Sequence, residues 1–134
     1  AFRPLSTREK VALATEVLGD YWPMWRNLKQ DDVVEMVGLA RNVRPSTPSP
    51  GGPEAHRTAL RLGRAVARTL RLLPTDSRCL VQSLVLTRML PRRSMASVLV
   101  IGVRTGSAFE AHAWVEHEGR PILPPGQFTR LVEL

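Results

Sequence analysis

Cysteine is nearly absent from this chain of 134 residues: Cys79 is the only one. A single thiol excludes an internal disulfide and any metal site built from clustered thiolates, and it suits a reducing, cytoplasmic setting. Lysine is almost as scarce, since 17 of the 19 basic residues are arginine, against 12 acids, for a net charge of +7. That balance suggests an acidic partner or substrate, although a GC-rich genome produces the same excess of arginine. Aromatics are limited to three Trp, one Tyr and three Phe, so aliphatic side chains must fill the core. No apolar run approaches the ~18 residues that span a membrane. The opening Ala-Phe-Arg-Pro-Leu lacks the pattern of a secretory signal. There is no Gly-x-Ser-x-Gly elbow, which argues against a serine nucleophile. His112 and His117 are five apart, on opposite faces if the segment is a strand, so no metal and no other cofactor is expected.

What is present divides into three stretches. Residues 1–43 read as helical. Ser6-Thr7-Arg8-Glu9 is a capping box, Val11 to Trp22 follow at helical spacing, and Pro23 is expected to close or bend that helix. A second helix is expected from Asp31 to about Arg41. Residues 44–53 hold four prolines and two glycines and read as a linker or loop. Residues 54–134 then form the segment that holds the chemistry, in a chain long enough for one domain with one core. Glu54 to Leu73 predicts a third helix. Its arginines Arg57, Arg61, Arg64, Arg68 and Arg71 step by four, three, four and three, which at about 100° per residue puts them on one stripe. The stripe is either a solvated face or a docking surface for an acidic peptide or protein. Nucleic acid is not expected, because no recognition motif accompanies it.

Ser77 to Leu90 predicts a helix that is apolar nearly all round and therefore central. Ser97 to Arg104 is a β-branched run, expected as a strand buried on both faces. Phe109 to His117 predicts a second strand, Glu118-Gly119 a hairpin turn and Arg120 to Leu123 a third strand. Pro124-Pro125-Gly126 breaks it, and Phe128 to Leu134 forms a last short element. Helices followed by antiparallel strands make the class α+β.

The chemistry is suggested by two residues far apart in sequence. Thr75, Asp76 and Ser77 are helix-starting residues, so Cys79 falls in a first helical turn, where unpaired N–H groups and the helix dipole favour an anion. His112 lies in a strand. Alternation puts Glu110, His112, Trp114 and Glu116 on one face, and that face would serve as the wall of a cleft. A helix-start cysteine followed by a strand histidine is the outline of a papain-like thiol enzyme, with His112 taking the thiol proton and returning it to a leaving amine.

Cys79-Leu80-Val81-Gln82-Ser83-Leu84, Ile101-Gly102-Val103-Arg104 and Ala111-His112-Ala113-Trp114-Val115-Glu116 occur in an order and at separations that resemble the transglutaminase-like cysteine proteases of lasso-peptide biosynthesis. The resemblance spans about residues 77–127. It implies a papain/transglutaminase-like fold, with N-terminal helices and a buried cysteine helix packed on a small antiparallel sheet. It also implies a leader peptidase, the stand-alone half of a split system. The implied partners are the precursor peptide, a separate leader-recognition protein and the lasso cyclase. By that resemblance Cys79 would be the nucleophile and His112 the general acid/base. Trp114 and Glu110, on the histidine's strand face, are expected to face the substrate, and the arginine stripe or the N-terminal helices to dock the recognition protein with its leader.

The family's acid is expected near Pro124, where this sequence has none. Gln127, Glu116 or a backbone carbonyl would have to orient the histidine instead. The competing expectations are an inactive scaffold of the same fold, an acyl-transferring relative and a basic peptide-binding module.

Overall fold

The computed structural model describes residues 4–28, 32–48, 51–71, 78–106 and 110–134. Four helices precede four strands: α1 (Thr7–Leu28), α2 (Val33–Arg41), α3 (Gly52–Leu70), α4 (Arg78–Arg92), β1 (Val98–Arg104), β2 (Glu110–His117), β3 (Arg120–Pro121) and β4 (Thr129–Glu133). The fold is α+β, as the sequence implies.

The organising element is α4. Val81, Leu84, Val85, Leu86, Met89 and Leu90 point in several directions and all are buried. A helix apolar on every side must be covered on every side. Helices α1, α2 and α3 and strands β1 and β2 all pack against it. Its two buried hydroxyls are satisfied within the helix: Ser83 Oγ donates to the Cys79 carbonyl at 2.8 Å and Thr87 Oγ1 to the Ser83 carbonyl at 2.7 Å.

Pro23 does not close its helix: it lies inside α1, which runs on to Leu28, while Pro91 is the next-to-last residue of α4, where that helix ends. Pro23 forfeits one helical hydrogen bond, yet packing continues past it. Met24 is buried in the core, and Trp25 stacks with Tyr21 and Trp22 at centroid distances of 6.5 and 5.6 Å. The capping box forms, with the Glu9 N–H donating to Ser6 Oγ at 3.2 Å and Ser6 Oγ donating to Glu9 at 3.0 Å. The second helix is capped by Asp32, whose carboxylate accepts from the Glu35 N–H at 3.0 Å. Asp31, its expected start, lies outside the described residues, as do Leu73, Thr75, Asp76, Ser77 and Phe109.

The N-terminal helices share one core with the rest. Val17, Met24, Met36, Val37 and Ala40 belong to the same buried cluster as α4 and the sheet. Charge reinforces the α1–α4 junction. Asp20, 2% exposed, receives Arg88 at 2.9 Å and both terminal nitrogens of Arg92 at 2.5 and 2.6 Å. Glu16 receives Arg93 at 2.7 Å. Burial pushes the Glu16 carboxyl up, but its hydrogen bonds and charge pairing with Arg93 and Arg92 outweigh that and hold it below the ordinary carboxylate value. The described part of the proline-rich stretch is anchored to the same corner: the Ser46 and Thr47 N–H groups both reach the Arg92 carbonyl.

The sheet order is β3-β2-β1-β4, antiparallel throughout. The last element therefore pairs with β1 at the edge away from β3. Glu118 and Gly119 turn the β2–β3 hairpin with φ of 52° and 78°, the backbone of a two-residue type I′ turn. After β3 the chain passes close over α3. A Cβ at Gly63 would lie 2.7 Å from the Ile122 carbonyl oxygen, so the small residue lets the Pro121–Pro125 segment seat against that helix.

Candidate active site

Cys79 is the second residue of α4. It is half-buried with a free thiol. Its N–H is one of the four at a helix start that have no intrahelical acceptor, and it stands at the positive end of the helix dipole. The helix that carries it packs on β2, the strand that carries His112.

His112 sits opposite Gly102 of β1 and is half-buried. Its Nε2 lies 2.8 Å from the Pro124 carbonyl oxygen. A carbonyl only accepts, so Nε2 must carry the proton. In the neutral ring this leaves Nδ1 with a free lone pair, and Nδ1 makes no hydrogen bond among the described residues. The ring is held by stacking as well. Trp114 lies at 5.9 Å and 27° and Phe128 at 5.0 Å and 30°. The Arg104 guanidinium covers the Phe128 ring at 4.6 Å.

Beneath this layer Trp114 is 2% exposed. Its Nε1–H donates to Glu116 at 3.0 Å, and Glu116 also receives Arg130 at 2.5 Å. Burial raises the Glu116 pKa, but the hydrogen bonds from Trp114 and Arg130 win and lower it from the ordinary carboxylate value. Gly102 makes room for the stack. A Cβ there would approach the Trp114 ring to 2.8 Å and the Phe128 Cβ to 2.9 Å. Both faces of β2 are thus closed near its end, where Ala113 and Val115 on one side and Trp114 and Glu116 on the other are buried. The alternation seen in the sequence is real, but the second face is not an open wall.

Of the orienters considered for His112, the one in contact is a backbone carbonyl, at the position where the resemblance implies an acid. Gln127 is exposed and makes no hydrogen bond to His112 among the described residues. Glu116 is turned to Trp114 and Arg130. Glu110 is exposed and paired with Arg104. Of the arginine stripe, Arg57, Arg64, Arg68 and Arg71 are exposed and Arg61 is half-buried. Among the described residues no cluster of three or more His, Cys, Asp or Glu could hold a metal, and no helix is long and apolar enough to cross a membrane.

Two contributors escaped the sequence, and a third was only one of several options: a backbone carbonyl was among the orienters considered, but the Pro124 carbonyl has no side-chain signature to single it out. Phe128 follows the Pro124-Pro125-Gly126 segment and so belongs to no periodic pattern. Gly102 did leave a signal: a lone glycine inside a β-branched run marks close approach by another group.

A family model described as the transglutaminase-like superfamily matches residues 24–133. No curated protein matches the chain, and no solved structure matches it.

Proposed function

The chain belongs to the transglutaminase-like superfamily, and on that premise we propose that it is a cysteine protease that removes the leader from a ribosomally made lasso precursor peptide. The observation that carries this reading is the state of His112: one ring nitrogen is fixed on Pro124, the other makes no hydrogen bond among the described residues, and its strand packs on α4, the helix whose first turn holds Cys79. The fold is one that includes cysteine proteases. The three sequence blocks supply the narrower assignment to precursor maturation.

In the proposed reaction His112 Nδ1 accepts the Cys79 thiol proton as Sγ attacks the scissile carbonyl carbon. The tetrahedral oxyanion is met by unpaired N–H groups of the first turn of α4. Collapse breaks the C–N bond, and the imidazolium returns the proton to the leaving amine. Water, deprotonated by His112, then hydrolyses the thioester and releases the acid. Pro124 keeps the imidazole in the tautomer this requires, a task that a carboxylate performs in triads. A carbonyl orients the ring but adds no full charge to stabilise the imidazolium. A dyad of this kind functions because a thiol is a good nucleophile at modest basicity. The proposed partners are the precursor, a separate leader-recognition protein and the lasso cyclase, in the cytoplasm.

Incubation of the precursor and recognition protein with this chain, followed by mass spectrometry, tests the assignment. Cleavage is expected for the wild type and not for Cys79→Ala or His112→Ala. Cleavage that persists in both variants removes the catalytic reading. A second reading, an inactive scaffold that binds peptide, is favoured by Pro124 standing where the family resemblance implies an acid. It predicts no cleavage by the wild type.

A further inference from the structure

Arg64, in the middle of the α3 arginine stripe, borders two clefts. On one flank, α1 and α3 enclose a groove of about 420 Å³. Leu5, Leu13 and Ala65 are among its apolar lining residues, and Lys10, Arg61, Arg64 and Arg68 also line it, with no carboxylate. On the other flank, α3 and the segment after β3 enclose a cleft of about 380 Å³ whose lining is apolar apart from Arg64. The second cleft also reaches Pro124, whose carbonyl holds His112.

We propose that the two clefts form one substrate track, in which an acidic stretch of the peptide substrate lies among Lys10, Arg61, Arg64 and Arg68 and an adjoining apolar stretch crosses Arg64 into the cleft beside Pro124. That the occupant is the enzyme's own substrate rests on the peptidase reading above. Its chemistry rests on the lining. Lys10, Arg64 and Arg68 line a groove without a carboxylate and attract a polyanionic segment, whereas Arg61 also borders a neighbouring cleft that holds Glu9 and Glu16 and is not counted in that charge. A concave groove of this volume suits a single peptide segment better than a flat protein face does. The apolar cleft rewards a Leu- or Phe-sized side chain that leaves water. The track also divides the stripe. Arg61, Arg64 and Arg68 line it, whereas Arg57 and Arg71 lie outside both clefts, and Lys10 joins from α1.

The test uses the full chain carrying Cys79→Ala, so that binding is read without cleavage. Three fluorescein-labelled peptides serve as probes for fluorescence anisotropy: one with a Glu-rich half joined to a Leu-rich half, the same peptide with Lys in place of Glu, and the Glu-rich half alone. The joined acidic peptide is expected to bind tightest and to weaken as salt is raised. Arg64→Glu with Arg68→Glu is expected to weaken it by about tenfold, from the sum of small surface charge terms. Ala67→Glu, which fills the apolar cleft, is expected to reduce the joined peptide to the affinity of the acidic half. Arg57→Glu with Arg71→Glu makes the same change of net charge off the track and is expected to leave binding within about twofold. Circular dichroism melting confirms that each variant is folded. An unchanged affinity after the Arg64/Arg68 reversal overturns the track, and so does an equal loss in the Arg57/Arg71 control. Equal binding of the Lys peptide or of the acidic half alone also overturns it. Binding that is intact in a chain that never cleaves faults the chemistry and not the track; cleavage that survives loss of binding faults the track alone.

Discussion

Two histidines five residues apart on β2 make opposite use of the same side chain. His112 meets the Pro124 carbonyl through Nε2, is stacked between Trp114 and Phe128, and keeps Nδ1 unengaged among the described residues. His117 points to the other face and is 4% exposed. Its Nδ1 lies 2.8 Å from the Ala96 carbonyl oxygen, and its Nε2 is buried without a hydrogen bond, 3.9 Å from the Glu118 carboxylate. The first ring is half-buried and oriented through one nitrogen, with the other making no hydrogen bond among the described residues. The second is sealed into the joint between the end of α4 and the start of β1. An imidazole held on one nitrogen is poised for proton transfer only when the other nitrogen can be reached.

That contrast can be broken most severely at His112. His112→Ala is expected to lower the rate of precursor cleavage by about 10²–10⁴-fold with little change in melting temperature. His117→Leu is expected to do the reverse. It removes a buried hydrogen bond at a cost of about 1–3 kcal/mol by urea unfolding, while the cleavage rate of the folded fraction stays within about twofold. A large rate loss at His117 without unfolding would mean that the two roles are misassigned.

The comparison sharpens at Gly102, across the ladder from His112. Gly102→Ala drives a methyl group into Trp114 and Phe128. It is expected to cost about 1–3 kcal/mol of stability, as overpacking does, and to slow cleavage as well because it disturbs the stack that fixes His112. If stability falls and the rate does not, the stack is architecture alone.

The smallest expected effect is in pH. Glu16 and Glu116 both have folded-state pKa values below the ordinary carboxylate value. Their contribution to stability is therefore complete above that value and is lost as pH falls through the lowered one. Melting temperature is expected to decline over that acidic window. Glu116→Gln, on the His112 side of the sheet, and Glu16→Gln, at the α1–α4 junction, are each expected to flatten the decline. A decline that begins well above the carboxylate range in the wild type would point to another group.

Much of this was legible in the residues. The apolar run after Cys79 announced a central helix, the β-branched run a buried strand, and Glu118-Gly119 a tight hairpin. Each is a local pattern with a local cause. The arginine spacing on α3 was equally plain, but only packing shows that Arg64 within it borders two grooves. Pro23 did not end α1, because its intrinsic cost is overridden by burial of its neighbour Met24. The support of His112 was hidden for a different reason. Its hydrogen-bond partner is a main-chain oxygen, and its stacking partner Phe128 is brought in by a strand that pairs at the far side of β1, a relation no spacing along the chain encodes.

The clamp of Asp20 and Glu16 on Arg88, Arg92 and Arg93 has a practical consequence. The region shared with relatives begins at residue 24, downstream of both acids. A protein trimmed to that boundary would leave three neighbouring guanidinium groups at one end of the central helix without counter-ions, and would bare the apolar flank that Val17 now covers. The limits of shared ancestry are therefore a poor guide to where this chain can be shortened, and α1 has to be kept in any minimal form intended to fold.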